Sequence, residues 1–153
     1  MNNYISYSQN PTCPSHLTIP ALCVCFLSGG VELDLELDLE DVTDNGIAAM
    51  ATAKTTAVLL PTTACILRLP QPRARDMLEA GVIVALRSDF NPNAYCCSMP
   101  VVMHLACVNL RMSMPESLAA LTINAAYVLG RSHAHGSLEV NKHGDLLVLI
   151  APR

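Results

Sequence analysis

The stretch GVIVALRSDFNPN, residues 81–93, sets five consecutive apolar residues, Val82 to Leu86, between a helix-stopping glycine and a polar loop. A short, unbroken apolar run reads as a strand covered on both faces, the pattern of a parallel sheet. Just upstream, Pro72 to Ala80 reads as a helix closed by Gly81. AVLLP, residues 57–61, repeats the buried-strand pattern, and a helix capped by Thr43 or Asp44 and running to about Ala53 precedes it. Helix, buried strand, helix, buried strand is the grammar of a parallel sheet with helices packed outside it. The fold class is therefore α/β.

Downstream, residues 99–110 predict a helix with Ser98 as N-cap and Pro100 tolerated in the first turn. Ser113-Met114-Pro115-Glu116 is a capping box that starts another helix. Leu118, Leu121, Ala125 and Val128 recur on one face of it, and Gly130 stops it. Gly136 to Ile150 reads as two strands about a turn at Asn141–Gly144, ending in LLVLI with a buried character. Met99, Met103, Met112 and Met114 read as core or packing residues.

The beginning of the chain has a different texture. Residues 1–37 mix prolines, cysteines and apolar residues without helical or strand periodicity over their first 30 positions, and little order is expected there. VELDLELDLE, residues 31–40, alternates apolar and acidic residues and would place Val31, Leu33, Leu35, Leu37 and Leu39 on one face of a strand. An acidic strip for calcium is the functional reading. A half-buried edge strand or a low-complexity insertion is the plainer one, and it is favoured because an EF-hand loop needs a turn with glycine rather than an extended row.

Composition narrows the classes further. The 153 residues are 52% apolar and 14% charged, enough for one buried core. No Lys or Arg precedes Lys54, while seven acidic residues do. From Lys54 onward nine basic residues face six acidic ones, which is no basic patch for a phosphate backbone, so nucleic acid is not an expected partner. Seven cysteines without a CxxC frame indicate neither a disulfide scaffold nor a structural zinc site and fit reduced thiols in the cytoplasm. The apolar stretch Leu17 to Leu27 is interrupted by Pro20 and lacks a preceding positive charge, which argues against a signal peptide. No apolar run reaches the roughly 20 residues that a membrane span needs, so a membrane is not an expected partner either.

In a parallel sheet, functional groups gather beyond the carboxyl ends of the strands. Asp89, just after the strand 82–86, is placed to be a metal ligand or a base, although an aspartate there also serves as a turn cap. His133-Ala134-His135 invites a metal assignment, but zinc needs three or four ligands and no partner is evident, so a solvated loop is expected. His104 is expected to be partly exposed on its helix, and His143 to sit in a turn.

Five stretches carry a family resemblance: DVTDNGIAAMATAK, AVLLPTTACILRLPQPRARDMLEAG, GVIVALRSDFNPN, SMPVVMHLACVNLRMSMPESLAALTINAAYVLG and GSLEVNKHGDLLVL. Together they span about residues 38–150 and resemble the C-terminal region of the imidazolonepropionase family, its animal members above all, within the amidohydrolase superfamily. The resemblance implies the C-terminal part of a (β/α)8 metal-dependent hydrolase barrel with part of a small C-terminal β structure. In this division residues 1–37 are unrelated, 38–130 form a partial barrel and 131–153 a partial β segment. The activity implied is hydrolytic ring opening of imidazolonepropionate, a small-molecule substrate, to formiminoglutamate, with zinc or iron activating the water.

By the same resemblance Asp89 matches the aspartate that binds the metal and takes the water's proton. Asn91 matches a ligand-contacting position, and Asn93 and Ala94 fall at the next contacts, where glycine and a small hydroxyl residue are common. The family's His-x-His pair and fifth-strand histidine lie upstream of anything in this chain. Its sixth-strand catalytic histidine is matched by Asp38, and Arg87 stands at a usual glycine. The expectation is a fragment that is catalytically inactive alone and binds its metal weakly; the alternative is a non-catalytic structural or interaction fragment that associates with another chain, either a second copy or a full-length enzyme.

Overall fold

The computed structural model describes residues 42–89, 95–146, 148 and 150. The N-terminal stretch, with its alternating residues 31–40, lies outside these residues, as does Asp38.

Helix α1 (Asp44–Ala53) opens as expected, with the Gly46 N–H donating to Thr43 Oγ1 at 3.2 Å. Strand β1 (Thr56–Leu59) follows and is buried throughout. Helices α2 (Pro61–Leu67) and α3 (Ala74–Glu79) then lead to strand β2 (Ile83–Leu86). Helices α4 (Met99–Val108), α5 (Met114–Leu121) and α6 (Ile123–Val128) complete the described elements. The strands pair in parallel, Thr56 beside Ile83 and Leu59 beside Leu86. Among the described residues this two-stranded sheet is the whole sheet, and no closed barrel is formed.

Because side chains alternate across a strand, the sheet has two unlike faces. Ala57, Leu59, Val84 and Leu86 enter the main core with Met50, Met77, Val102, Ala106 and Ala120. Val58 and Ala85 form a smaller cluster with Val128 of α6. On this second face Ile83 is 37% exposed, against the expectation of a strand covered throughout. Thr56 Oγ1 is buried with no hydrogen-bond partner among the described residues. In a parallel pair alternate residues bond to the neighbouring strand, so the Val84 carbonyl points away from β1. There it accepts a hydrogen bond from Asn124 Nδ2 at 2.8 Å.

Several expectations are corrected. Pro61 does not end a strand; it opens α2, where its fixed φ suits a first turn and its missing N–H costs nothing. The helix expected over 113–130 breaks at Thr122 (φ −115°, ψ −89°), whose hydroxyl donates to the Leu118 carbonyl at 2.7 Å. Gly136 fits against this break at φ +93°, and a Cβ there would lie 2.8 Å from Ile123 Cα. Of the expected stripe, Val128 is buried and Leu121 packs on the core, but Leu118 does not belong to it. Ser117 and Ala120 are fully buried while Leu118 is 54% exposed, because small residues let α5 approach α4, where Ser117 Oγ donates to the Met103 carbonyl at 3.3 Å.

Ser98 occupies the N-cap of α4 without a capping side-chain bond. Met112 is buried and Met99 packs on the core, but Met114 is exposed. No strand forms among the described residues from 136 to 150, and Leu146, Val148 and Ile150 are exposed rather than buried. A strand requires a ladder of partners for its amides; here the Lys142 N–H bonds the Glu139 carbonyl at 3.2 Å and the His143 N–H the Ala134 carbonyl at 2.9 Å, turn-like contacts that do not continue into a ladder among the described residues.

Glu116 joins two parts of the fold. It closes the capping box of α5, accepting from the Ser113 N–H at 2.8 Å, and also accepts from Arg75 Nη2 of α3. The Arg75 guanidinium first, then the Ser113 N–H and hydroxyl, hold its carboxyl down at about 2, from an ordinary 4.5. A carboxyl depressed on folding stabilises above its unfolded value, and that contribution vanishes as pH falls through the folded one. Urea unfolding of Glu116→Gln should thus show a deficit against wild type that is full above pH 4.5 and fades towards pH 2. Separately, Leu59→Ala should lower unfolding free energy by about 2–5 kcal/mol, whereas Leu118→Ala should stay within about 0.5 kcal/mol of wild type.

Candidate active site

The register of β1 and β2 sets the carboxyl ends of the two strands side by side. The Arg87 N–H donates to the Leu59 carbonyl at 3.2 Å, carrying the pairing one residue past β2. Two residues on, Asp89 is 8% exposed, a buried acid at the position where parallel sheets collect their chemistry.

From the neighbouring strand end, Pro61 turns the chain into α2 and brings Thr62 and Thr63 to the same region. Thr63 Oγ1 donates to Asp89 Oδ2 at 2.7 Å, and the Cys96 N–H donates to the Asp89 main-chain carbonyl at 2.9 Å. Thr62 Oγ1 is buried and finds no partner among the described residues. Thr62 and Thr63 were not singled out from the sequence. The rule that picked Asp89, a polar residue directly after a buried strand, applies equally to the Thr-Thr pair after AVLLP.

Asn91, Asn93 and Ala94 lie outside the described residues. Arg87 is partly exposed, so its guanidinium does not carry the several kcal/mol that full desolvation of an unpaired charge would cost.

The histidines gather elsewhere. His135 and His143 stack with ring centroids 4.6 Å apart and planes 5° from parallel, and His135 Nδ1 lies 3.6 Å from Asp145 Oδ2. Imidazole lone pairs lie in the ring plane, so two parallel stacked rings direct them along separate planes and cannot converge on one ion. His133 and His104 are exposed. Among the described residues no group of three or more His, Cys, Asp or Glu side chains is arranged to hold a metal ion. No helix among them is long and apolar enough to cross a membrane.

The site can therefore present one buried carboxylate, held at its main chain and at one of its oxygens, to a ligand, a water or a cation. Among the described residues this carboxylate does not belong to a group of three or more His, Cys, Asp or Glu side chains that could hold a metal ion.

Comparison with known proteins gives this arrangement a lineage. The model of the amidohydrolase family matches residues 15–152. A protein described as "Probable imidazolonepropionase" from Bos taurus is 71% identical over 126 residues, covering 81% of this chain and 30% of the relative. One so described from Danio rerio is 76% identical over 115 residues, 75% of this chain and 27% of the relative. A bacterial protein described as "Imidazolonepropionase", from Rubrobacter xylanophilus, is 47% identical over 131 residues, 81% of this chain and 32% of the relative. The chain spans about 30% of the length of the curated relatives it matches. By the extent of the family match and the level of identity, the chain belongs to the amidohydrolase family and is homologous to its vertebrate members described as probable imidazolonepropionases.

Proposed function

We propose that this chain supplies the Asp89-bearing part of an imidazolonepropionase-type barrel and is catalytically incomplete by itself. The reaction of the complete site is hydrolytic opening of a cyclic amide, imidazolonepropionate going to formiminoglutamate. The observation that carries the proposal is Asp89, buried at the end of β2 and fixed by Thr63. A barrel takes about 250 residues and eight strands, whereas the described residues form two.

An unstrained amide resists water, so its hydrolysis needs both an activated water and a group that takes the water's proton. Asp89 is suited to the second task, since Thr63 engages Oδ2 and no described residue engages Oδ1. Zinc or iron would supply the first task in a complete barrel. The described residues do not fit such an ion, because a catalytic zinc site uses three protein ligands and this site shows one carboxylate. No step through a metal is drawn for this chain. A cytoplasmic setting is part of the proposal and accords with the unpaired thiols of Cys65, Cys96, Cys97 and Cys107.

Activity should be absent from the purified chain given imidazolonepropionate with added zinc or iron, and should appear when the chain is co-expressed with the complementary N-terminal part of the Danio rerio relative. Asp89→Asn should then lower the restored rate by roughly 100-fold or more. Turnover by the chain alone, stoichiometric metal retained after dialysis, or a complemented pair indifferent to Asp89→Asn would each sink the proposal.

A second reading rests on uncovered apolar surface. Leu138, Val140, Leu146, Val148 and Ile150 are each at least 65% exposed, and a row of this kind marks a contact surface for another chain. Self-association is the expected outcome in size-exclusion chromatography, with elution moving to smaller size on dilution. A monomer at every concentration would count against it.

A further inference from the structure

Thr63 has a role beyond packing: we infer that it is a positioning residue for Asp89, fixing the carboxylate so that Oδ1 alone faces the site. The inference rests on Asp89 being the reacting carboxylate of the proposed function. It is drawn from a hydrogen bond between two different strand–helix units, 26 residues apart in sequence.

Three features of the chain make Thr63 suited to this task. Pro61, just before it, has its φ fixed by the ring, which sets the direction in which the first turn of α2 leaves β1. Threonine is branched at Cβ and stiff at χ1, so its hydroxyl samples fewer directions than a serine hydroxyl would. The acceptor is also held independently, because the Cys96 N–H bonds the Asp89 main-chain carbonyl at 2.9 Å. With its backbone pinned, the aspartate has two remaining side-chain torsions. The 2.7 Å bond from Thr63 Oγ1 to Oδ2 selects among them.

The consequence for chemistry is a distinction between two otherwise equivalent oxygens. Oδ2 has a committed donor, and among the described residues Oδ1 has none. A carboxylate held this way meets a proton, a cation or a polar ligand through one oxygen in one direction, and such preorganisation within a fraction of an ångström governs how well a catalytic group performs. A purely structural threonine would fill space equally well as valine, which has the same shape without the hydroxyl.

The test is nuclear magnetic resonance on the whole chain, which reads the Asp89 side chain directly and requires neither turnover nor metal. In wild type, the vicinal couplings of the Asp89 β-protons should show a single χ1 rotamer. The Thr63 hydroxyl proton should be protected from solvent exchange and close in space to the Asp89 β-protons. Thr63→Val should lose the single-rotamer pattern while amide resonances of α4 and α5 stay in place, and Thr63→Ser should restore it at least in part. An Asp89 that keeps one rotamer in Thr63→Val, or a Thr63→Ser protein no better ordered than Thr63→Val, would overturn the inference. If Thr63→Val does not fold, the wild-type hydroxyl proton decides by itself: exchange too fast to observe it at low temperature overturns the assignment. A positive result here beside a failed complementation experiment would separate the two ideas, leaving the positioning intact and the hydrolase reading refuted.

Discussion

The parallel pairing of β1 with β2 is the constraint on which the rest depends. Its register determines which residues lie side by side where the strands end, and the two turns that follow deliver Thr63 and Asp89 to hydrogen-bonding distance. A slip of one residue would reverse the faces of one strand and send Leu59 or Leu86 out of the main core. The burial of those leucines therefore holds the geometry of a polar pair several residues away. Helices α3, α4 and α5 cover one face, and Glu116 links α3 to α5 through Arg75.

Much of this organisation was written locally. Thr43 before α1, Gly81 before β2 and the Ser113–Glu116 box before α5 each satisfy or release backbone groups within a few residues, so their meaning does not depend on distant contacts. Asp89 was legible on the same terms, as the acid that follows a buried strand. α2 was not, because Pro61 completes an apolar run and its place in a first turn becomes plain only once β1 is seen to end at Leu59. Thr63 was lost with it.

Long-range features were the ones the sequence did not disclose. Thr122 has the composition of a helix interior, yet its hydroxyl bonds back to Leu118 and Gly136 packs into the bend. The apolar residues from Leu138 to Ile150 have strand-forming character, but a strand is a relation between two segments, and among the described residues the arms on either side of Asn141–Gly144 do not pair. The alternating residues 31–40 and the expected contacts Asn91, Asn93 and Ala94 lie outside those residues.

The bond from Asn124 to the Val84 carbonyl makes the sheet unequal at its two sides. On the side of β2 away from β1, a side-chain amide of α6 stands where the N–H of a third strand would bond, so α6 is tied to the sheet by a directional contact as well as by the packing of Val128.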